Sequence, residues 1–255
     1  MKQTYKVKIA HNVEISPGIY KIDLFSKEIV ESAKAGQFIN VYTNSSGSLL
    51  PRPISISQIN KEKNVLTLVY AVVGKGTKAL SEMKIGEEVK VLGPLGNGFN
   101  IPKEAENYIV IGGGIGTPPL VELVKQLKGN IEVYLGFRNN PILIEEFKEY
   151  GAKVYVATED GSVGIKGNVM DILKEKNLKA DMIYSCGPKP MLKAIAKYAA
   201  ENGIKAQVSM EERMACGIGA CVGCTCKTKK NGEVQNKKVC KDGPVFYSEE
   251  VVWND

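Results

Sequence analysis

Histidine is nearly absent from this chain, His11 being the one example in 255 residues, so chemistry centred on an imidazole acid or base is excluded. His11 lies in the alternating segment MKQTYKVKIAHNVEI and reads as a surface residue at a strand end, with no nucleophile or ligand nearby in the sequence. The same segment has no apolar run long enough for a signal peptide or a membrane span. A cytoplasmic, reducing setting is expected, where six cysteines serve as metal ligands or redox groups rather than disulfides. Also missing are a polybasic block and interleaved aromatics. The 34 basic and 28 acidic residues give a net charge of +6 spread along the chain, a poor footing for nucleic acid. Arginine is scarce, and against a background of lysine Arg52, Arg138 and Arg213 each mark a place that calls for a planar, forked donor.

What is present is an ordinary globular composition, 44% hydrophobic and 24% charged, in a chain long enough for about one to three domains. Residues 1–100 hold six short alternating runs, YKVKIA, GIYKIDLF, GQFINVYT, RPISISQI, VLTLVYAVV and EEVKVLGPL, divided by turn signals such as Pro17-Gly18 and Ser46-Gly47. That spacing predicts a small antiparallel barrel, with one helical patch at Thr77 to Met83. From Tyr108 strand and helix patterns alternate: YIVI, PLVELVKQLKG, IEVYLGF, ILIEEFKEYG, AKVYVAT, NVMDILKEKN, DMIYSC, PMLKAIAKYAAENG, KAQVSM. This is the signature of a parallel sheet covered on both faces, here over residues 101–208, with Gly129, Gly151 and Gly203 closing helices. Residues 209–255 are a third, cysteine-rich piece with too few apolar residues for a core of its own.

In that piece four of the six cysteines fall within the eleven residues from Cys216 to Cys226. Cys216-x4-Cys221-x2-Cys224, with Cys240 sixteen positions later, matches the plant-type ligand pattern of a 2Fe-2S cluster. Gly217, Gly219 and Gly223 let backbone amides approach the sulfides and allow turns at positive φ. A four-cysteine zinc site would favour two tight C-x2-C pairs, and only one is present. Cys226 is surplus, either a replacement ligand or a thiol packed under the loop.

Two further stretches carry anion chemistry. LPRPISIS places Arg52 and Ser55 on one strand, where a guanidinium, a hydroxyl and strand amides can grip a diphosphate. In VYAVVGKGTKAL, Gly76 and Thr77 open a short helix whose free N–H groups make a second anion site, while Tyr70 taken alone reads as a barrel-core aromatic. IGGGIGTPPL runs from a strand through a glycine turn into a helix, the geometry that seats a dinucleotide pyrophosphate on Gly112, Gly114, Gly116 and Thr117. The fingerprint is incomplete: Thr117 holds the third glycine position, and Arg138 follows the next strand where an acidic residue is usual, leaving NAD and NADP both open. SCGPKPM brings Cys186, Gly187 and Pro188 to the same sheet edge, with Cys186 either a buried small residue or a nicotinamide contact.

In that order, RPIS, GGGIGTPPL, CGPKPM and a cysteine tail ending KVCKDGPVF resemble the ferredoxin-reductase superfamily over essentially the whole chain. MACGIGACVGCTC with KVCKDGPVF narrows the resemblance to electron-transfer subunits of NAD-linked, two-subunit dihydroorotate dehydrogenases. The resemblance implies FAD against Arg52, Pro53, Ile54 and Ser55, then Val69, Tyr70 and Ala71, then Gly76 and Thr77. It also implies a cluster on Cys216, Cys221, Cys224 and Cys240, NAD as acceptor, and an FMN-containing catalytic partner in a heterotetramer serving pyrimidine synthesis. A cluster moves single electrons, NAD takes only a hydride and a flavin does both, so the order must be cluster, FAD, NAD. The competing readings are the flavin subunit of a ferredoxin:NADP or sulfide-type oxidoreductase, an oxygenase reductase with a full ferredoxin domain, and a zinc-bound scaffold without activity.

Overall fold

The computed structural model describes residues 3–43, 50–174 and 179–253, so the Ser46-Gly47 turn and the end of NVMDILKEKN lie outside the described residues. The first part consists of β1 (Thr4–Ser16), β2 (Ile19–Phe25), α1 (Lys27–Ser32), β3 (Phe38–Tyr42), β4 (Arg52–Asn60), β5 (Val65–Ala71), α2 (Lys75–Glu82) and β6 (Glu88–Leu95). Its six strands close into an antiparallel barrel in the order β1-β2-β5-β4-β3-β6. The alternation seen in the sequence is what fills it: Val7 and Ile9, Ile22 and Leu24, Ile39 and Val41, Ile54 and Ile56, Leu66 and Leu68 all point inward and are buried. Each such side chain stabilises the barrel by about 1.5–3 kcal/mol.

Three details depart from expectation. Helix α2 begins two residues before Thr77, at Lys75, and α1 is an additional helix, capped by Ser26 Oγ accepting from Ile29 N at 3.3 Å. His11 is not at a strand end; it sits within β1 opposite Asp23 and pairs with it, Nδ1 to Oδ2 at 3.3 Å, while remaining 66% exposed.

The second part begins with β7 (Asn107–Gly113), a 3-10 turn (Gly114–Gly116), α3 (Pro119–Gln126), β8 (Asn130–Phe137), α4 (Ile144–Glu149), β9 (Lys153–Thr158) and β10 (Ile165–Lys166). It continues with α5 (Val169–Lys174), β11 (Met182–Cys186), α6 (Lys189–Glu201) and β12 (Lys205–Ser209). These strands pair in parallel, and successive residues of β7 go to opposite faces: Tyr108 and Val110 pack with α3 and α4, Ile109 and Ile111 with α5 and α6. Gly151 and Gly203 take left-handed φ of 80° and 66° just past α4 and α6. Gly129, at φ 128°, has a second constraint: a Cβ there would lie 2.2 Å from the Glu106 carbonyl.

The cysteine-rich segment forms the hairpin β13 (Thr225–Lys230) and β14 (Glu233–Lys238), then β15 (Val245–Tyr247). β15 is not part of a separate piece. It pairs antiparallel with β12 and completes a seven-stranded sheet, β10-β9-β8-β7-β11-β12-β15. The apolar cluster beneath the segment mixes Phe38 and Leu95 of the barrel region with Leu192 and Val208 of the parallel sheet and Cys224, Val239 and Cys240 of the segment itself.

Candidate functional site

At the start of β4, Arg52 Nη1 donates to the Leu50 carbonyl at 2.7 Å, which turns the guanidinium toward the N-terminus of α2. There it lies flat against Gly76: a Cβ on that residue would stand 2.2 Å from Arg52 Nε. The two stretches expected to bind an anion thus meet in one place, combining a positive charge with the N–H groups of a helix start. The Thr77 hydroxyl is engaged by Val73 N and Gly74 N at 2.9 and 3.2 Å, so Thr77 offers an anion its backbone rather than its side chain. Pro53 is exposed and Ser55 half-buried on the outer face of β4, Ala71 is half-buried, and Ile54 and Val69 are buried. The Tyr70 ring belongs to the barrel core, stacked 5.9 Å from Tyr20 with its hydroxyl donating to Asn12 Oδ1, and burial raises its pKa. A cleft of about 570 Å³ opens between Leu50–Pro53, Lys189 at the start of α6 and the segment Glu211–Met214.

On the parallel sheet, the glycine turn after β7 and the Cys186-Gly187-Pro188 turn after β11 interlock. A Cβ on Gly116 would lie 2.6 Å from both the Cys186 carbonyl and Gly187 Cα, and one on Gly113 would lie 2.9 Å from Pro188 Cδ. Strand β7 has β8 on one side and β11 on the other, so these turns flank the crevice at the carboxyl edge where the strand order reverses. Gly114, at φ 52°, faces open space. Thr117 is fully buried beneath Gly112 and its hydroxyl has no partner among the described residues, an unsatisfied group at the head of α3. Burial pushes the Cys186 thiol up to about 12 against a hydrogen bond with Ser209, so it is held neutral. Arg138 is exposed just beyond β8, and its carbonyl accepts from Asp160 N at 3.3 Å.

The cysteines come together as two pairs. Cys221 N donates to Cys216 Sγ and Cys240 N to Cys224 Sγ, both at 3.4 Å. Among the described residues no group of three or more histidine, cysteine or acidic side chains is arranged around a single ion position. Two thiols for each of two metal ions is the donor set that a 2Fe-2S cluster needs. Burial alone would raise the Cys216 thiol, but hydrogen bonds from the backbones of Cys221, Ile218 and Ala220 bring it down to about 6. Gly217 and Gly219 turn at φ 69° and 83°, and Lys238 Nζ holds the loop through the Gly219 carbonyl at 2.7 Å. Cys226 is buried on β13, its thiol pushed up to about 11 by burial and the Glu212 charge.

One residue that no sequence signal marks joins the parts. Asn40, fully buried on β3, lies directly across from Pro53 in the barrel ladder and reaches toward the Cys216 carbonyl with Nδ2 at 3.5 Å. A Cβ on Gly217 would sit 2.2 Å from that nitrogen, and Asn40 Oδ1 has no partner among the described residues. Asn40 therefore links the strand beside β4 to the loop that carries Cys216.

Residues 3–99 match the model of the oxidoreductase FAD-binding domain, and residues 211–252 match that of the iron-sulfur cluster binding domain of dihydroorotate dehydrogenase B. The chain is 44% identical over 260 residues to the dihydroorotate dehydrogenase B (NAD(+)) electron transfer subunit of a Geobacillus species, covering 99% of both chains. It is 40% identical over 261 residues to that of Desulforamulus reducens, covering 99% of this chain and all of the other. It belongs to that electron transfer subunit family. Among solved structures, the NADH-dependent reduced ferredoxin-NADP oxidoreductase aligns with a TM-score of 0.87 at 32% identity, over 99% of this chain and 92% of that one. The ferredoxin reductase of carbazole 1,9a-dioxygenase, at 17% identity and a TM-score of 0.68, shares the fold alone. The family member is thus an oxidoreductase subunit with FAD and iron–sulfur domains, and no helix among its described residues is long and apolar enough to cross a membrane.

Proposed function

We propose that this chain carries electrons from an FMN-containing catalytic subunit, which oxidises dihydroorotate, through a 2Fe-2S cluster and FAD to NAD, the two subunits forming a cytoplasmic heterotetramer. The observation that carries the reading is the series just described: cluster loop to Asn40, Asn40 to the Arg52–Ser55 strand, and that strand across a cleft from Lys189, which directly follows the Cys186-Gly187-Pro188 turn. When bound, the flavin supplies the exchange between single electrons and a hydride that neither neighbour can make. Arg52 and the head of α2 bind a diphosphate, Pro53 and Ser55 present the outer face of β4 to a flavin ring, and Gly112, Gly114, Gly116 and Thr117 receive the nucleotide. Cys186, kept protonated, borders the nicotinamide without adding charge. Cys216, Cys221, Cys224 and Cys240 would hold the cluster. The surrounding loop exposes Ile218 and Val222, 44% and 74% accessible, an apolar spot suited to a partner protein. Residues 1–100, 101–208 and 209–255 are assigned to FAD, NAD and the cluster.

The test is to assay the anaerobically purified chain with NADH, with dihydroorotate, and with dihydroorotate plus an FMN-containing dihydroorotate dehydrogenase subunit. NADH-dependent reduction of artificial acceptors is expected from the chain alone, and dihydroorotate-dependent reduction of NAD only from the pair. Dihydroorotate oxidation by the chain alone overturns the division of labour, and coupling to reduced ferredoxin instead would move the chain to the role of its structural relative.

A further inference from the structure

Glu122 is the one acidic or basic residue among the described residues whose surface is almost wholly buried, at 3% exposed, and none of the chemistry above uses it. It lies on α3, one turn beyond Thr117 and the glycine turn. Its side chain leaves its own lobe: Oε2 accepts from Ile59 N on β4 of the barrel at 2.8 Å. Gln126 Nε2 donates to Oε1 at 2.7 Å and fixes the carboxylate in place. The neighbouring Lys125 completes the grip, with Nζ donating to the Ile59 carbonyl at 2.7 Å and lying 3.5 Å from Glu122 Oε2. Both backbone groups of one barrel residue are thus held by two residues one turn apart on a helix in the other lobe.

A buried carboxylate is expensive unless each lone pair is matched, so this site is satisfied only in one relative placement of the two lobes. Apolar packing between α3 and the barrel, in the cluster that holds Val69 together with Leu120 and Val121, is non-directional and tolerates sliding. Paired hydrogen bonds do not. The two clamped elements also carry the two cofactor stretches: β4 begins at Arg52 and ends at the clamp, and α3 begins at the nucleotide turn. We infer that Glu122, with Lys125, is a positioning residue that sets the distance and angle between a flavin on β4 and a nicotinamide at the turn before α3. This rests on the cofactor assignment under Proposed function.

Small errors in such an approach are costly, because hydride transfer falls steeply with misplacement of about 1 Å. In Glu122→Ala, rapid-mixing reduction of bound FAD by NADH should slow on the order of 10- to 100-fold, with the KM for NADH, FAD content and cluster content near wild type. The long-wavelength charge-transfer band of the NADH–flavin complex should weaken. Glu122→Gln, whose amide oxygen still accepts from Ile59 N, should recover most of the rate, and Lys125→Met should lose an intermediate amount. Amide hydrogen exchange at Ile59 should quicken in the order Gln, Met, Ala. FAD reduction at the wild-type rate in Glu122→Ala overturns the inference, as does equal loss in the Ala and Gln variants. Should Glu122→Ala not fold, wild-type rates in both Lys125→Met and Glu122→Gln, with Ile59 exchange faster only in the former, overturn it equally. A wild-type chain that binds no FAD overturns both this inference and the cofactor assignment, whereas FAD binding with an indifferent clamp overturns this one alone.

Discussion

Replacing Gly76 by alanine separates binding from stability, because the two are expected to move in opposite directions. Gly76 is the second residue of α2 and is not among the glycines at positive φ, so alanine costs nothing in the backbone. Glycine to alanine within a helix gains about 0.5–1 kcal/mol. The new methyl group would stand 2.2, 2.5 and 2.6 Å from Nε, Nη2 and Cζ of Arg52, closer than any contact it could keep. What yields is the tip of a long side chain, so the guanidinium swings off the helix start while the fold persists. A charge-assisted hydrogen bond lost from a diphosphate costs roughly 1.5–3 kcal/mol, or about a 10- to 150-fold weaker Kd for FAD.

The assay is fluorescence titration of the flavin-free chain with FAD, beside thermal melting of the same preparation. Gly76→Ala should bind FAD about 10- to 150-fold more weakly with an unchanged or higher Tm. Arg52→Ala should lose a similar amount and keep its cluster. If the methyl acts by displacing Arg52, the double variant should be no worse than Arg52→Ala, since interacting sites are non-additive. Unaltered FAD affinity in Gly76→Ala refutes the shared anion site. Fully additive losses would show that the methyl meets the cofactor itself and that Arg52 acts separately.

Two further outcomes follow from the geometry. Cys224→Ser should abolish the visible absorbance and acid-labile sulfide of the cluster, whereas Cys226→Ser should leave both largely intact; loss in both would mean that the ligands are misassigned. Gly116→Ala would drive its Cβ to 2.6 Å from the main chain of Cys186 and Gly187, which cannot rotate away as a side chain can, so KM for NADH should rise at least about tenfold with FAD and cluster retained. An unchanged KM would remove the interlocked turns from the nucleotide site.

Much of the barrel was legible because its strands alternate between an apolar interior and a polar exterior, as in Ile54-Ser55-Ile56 of β4. Strand order was not, since placing β5 between β2 and β4 depends on partners far apart in the chain. Helix α1, KEIVES, is only six residues long and its Ile-Val pair reads as strand as readily as helix. The strands TCKTKK and EVQNKK have no apolar periodicity, although Asn231-Gly232 between them, at φ 52° and 88°, carries the standard hairpin turn signal. The ligand-type cysteines and glycine turns announce themselves through spacing. Asn40 and Glu122 do not, because a lone polar residue among apolar ones shows its role only when the structure reveals which partner it meets.

The cysteine-rich segment also shows why the electron path cannot be divided where the sequence changes character. Two of its proposed ligands, Cys224 and Cys240, are core residues, packed with Phe38 and Leu95 from the barrel side and with Leu192 and Val208 from the sheet side. Such a core needs side chains from both larger parts, and β15 closes the sheet edge that β12 would otherwise expose. The loop carrying Cys216 and Cys221 rests outside that core, against Asn40 on one side and exposed at Ile218 and Val222 on the other. Half of the ligand set is thus anchored to the body of the chain and half lies toward its surface. A carrier that must take electrons from another protein and deliver them inward needs both: a rigid inner side next to β3 and β4, and an outer side that a partner can reach.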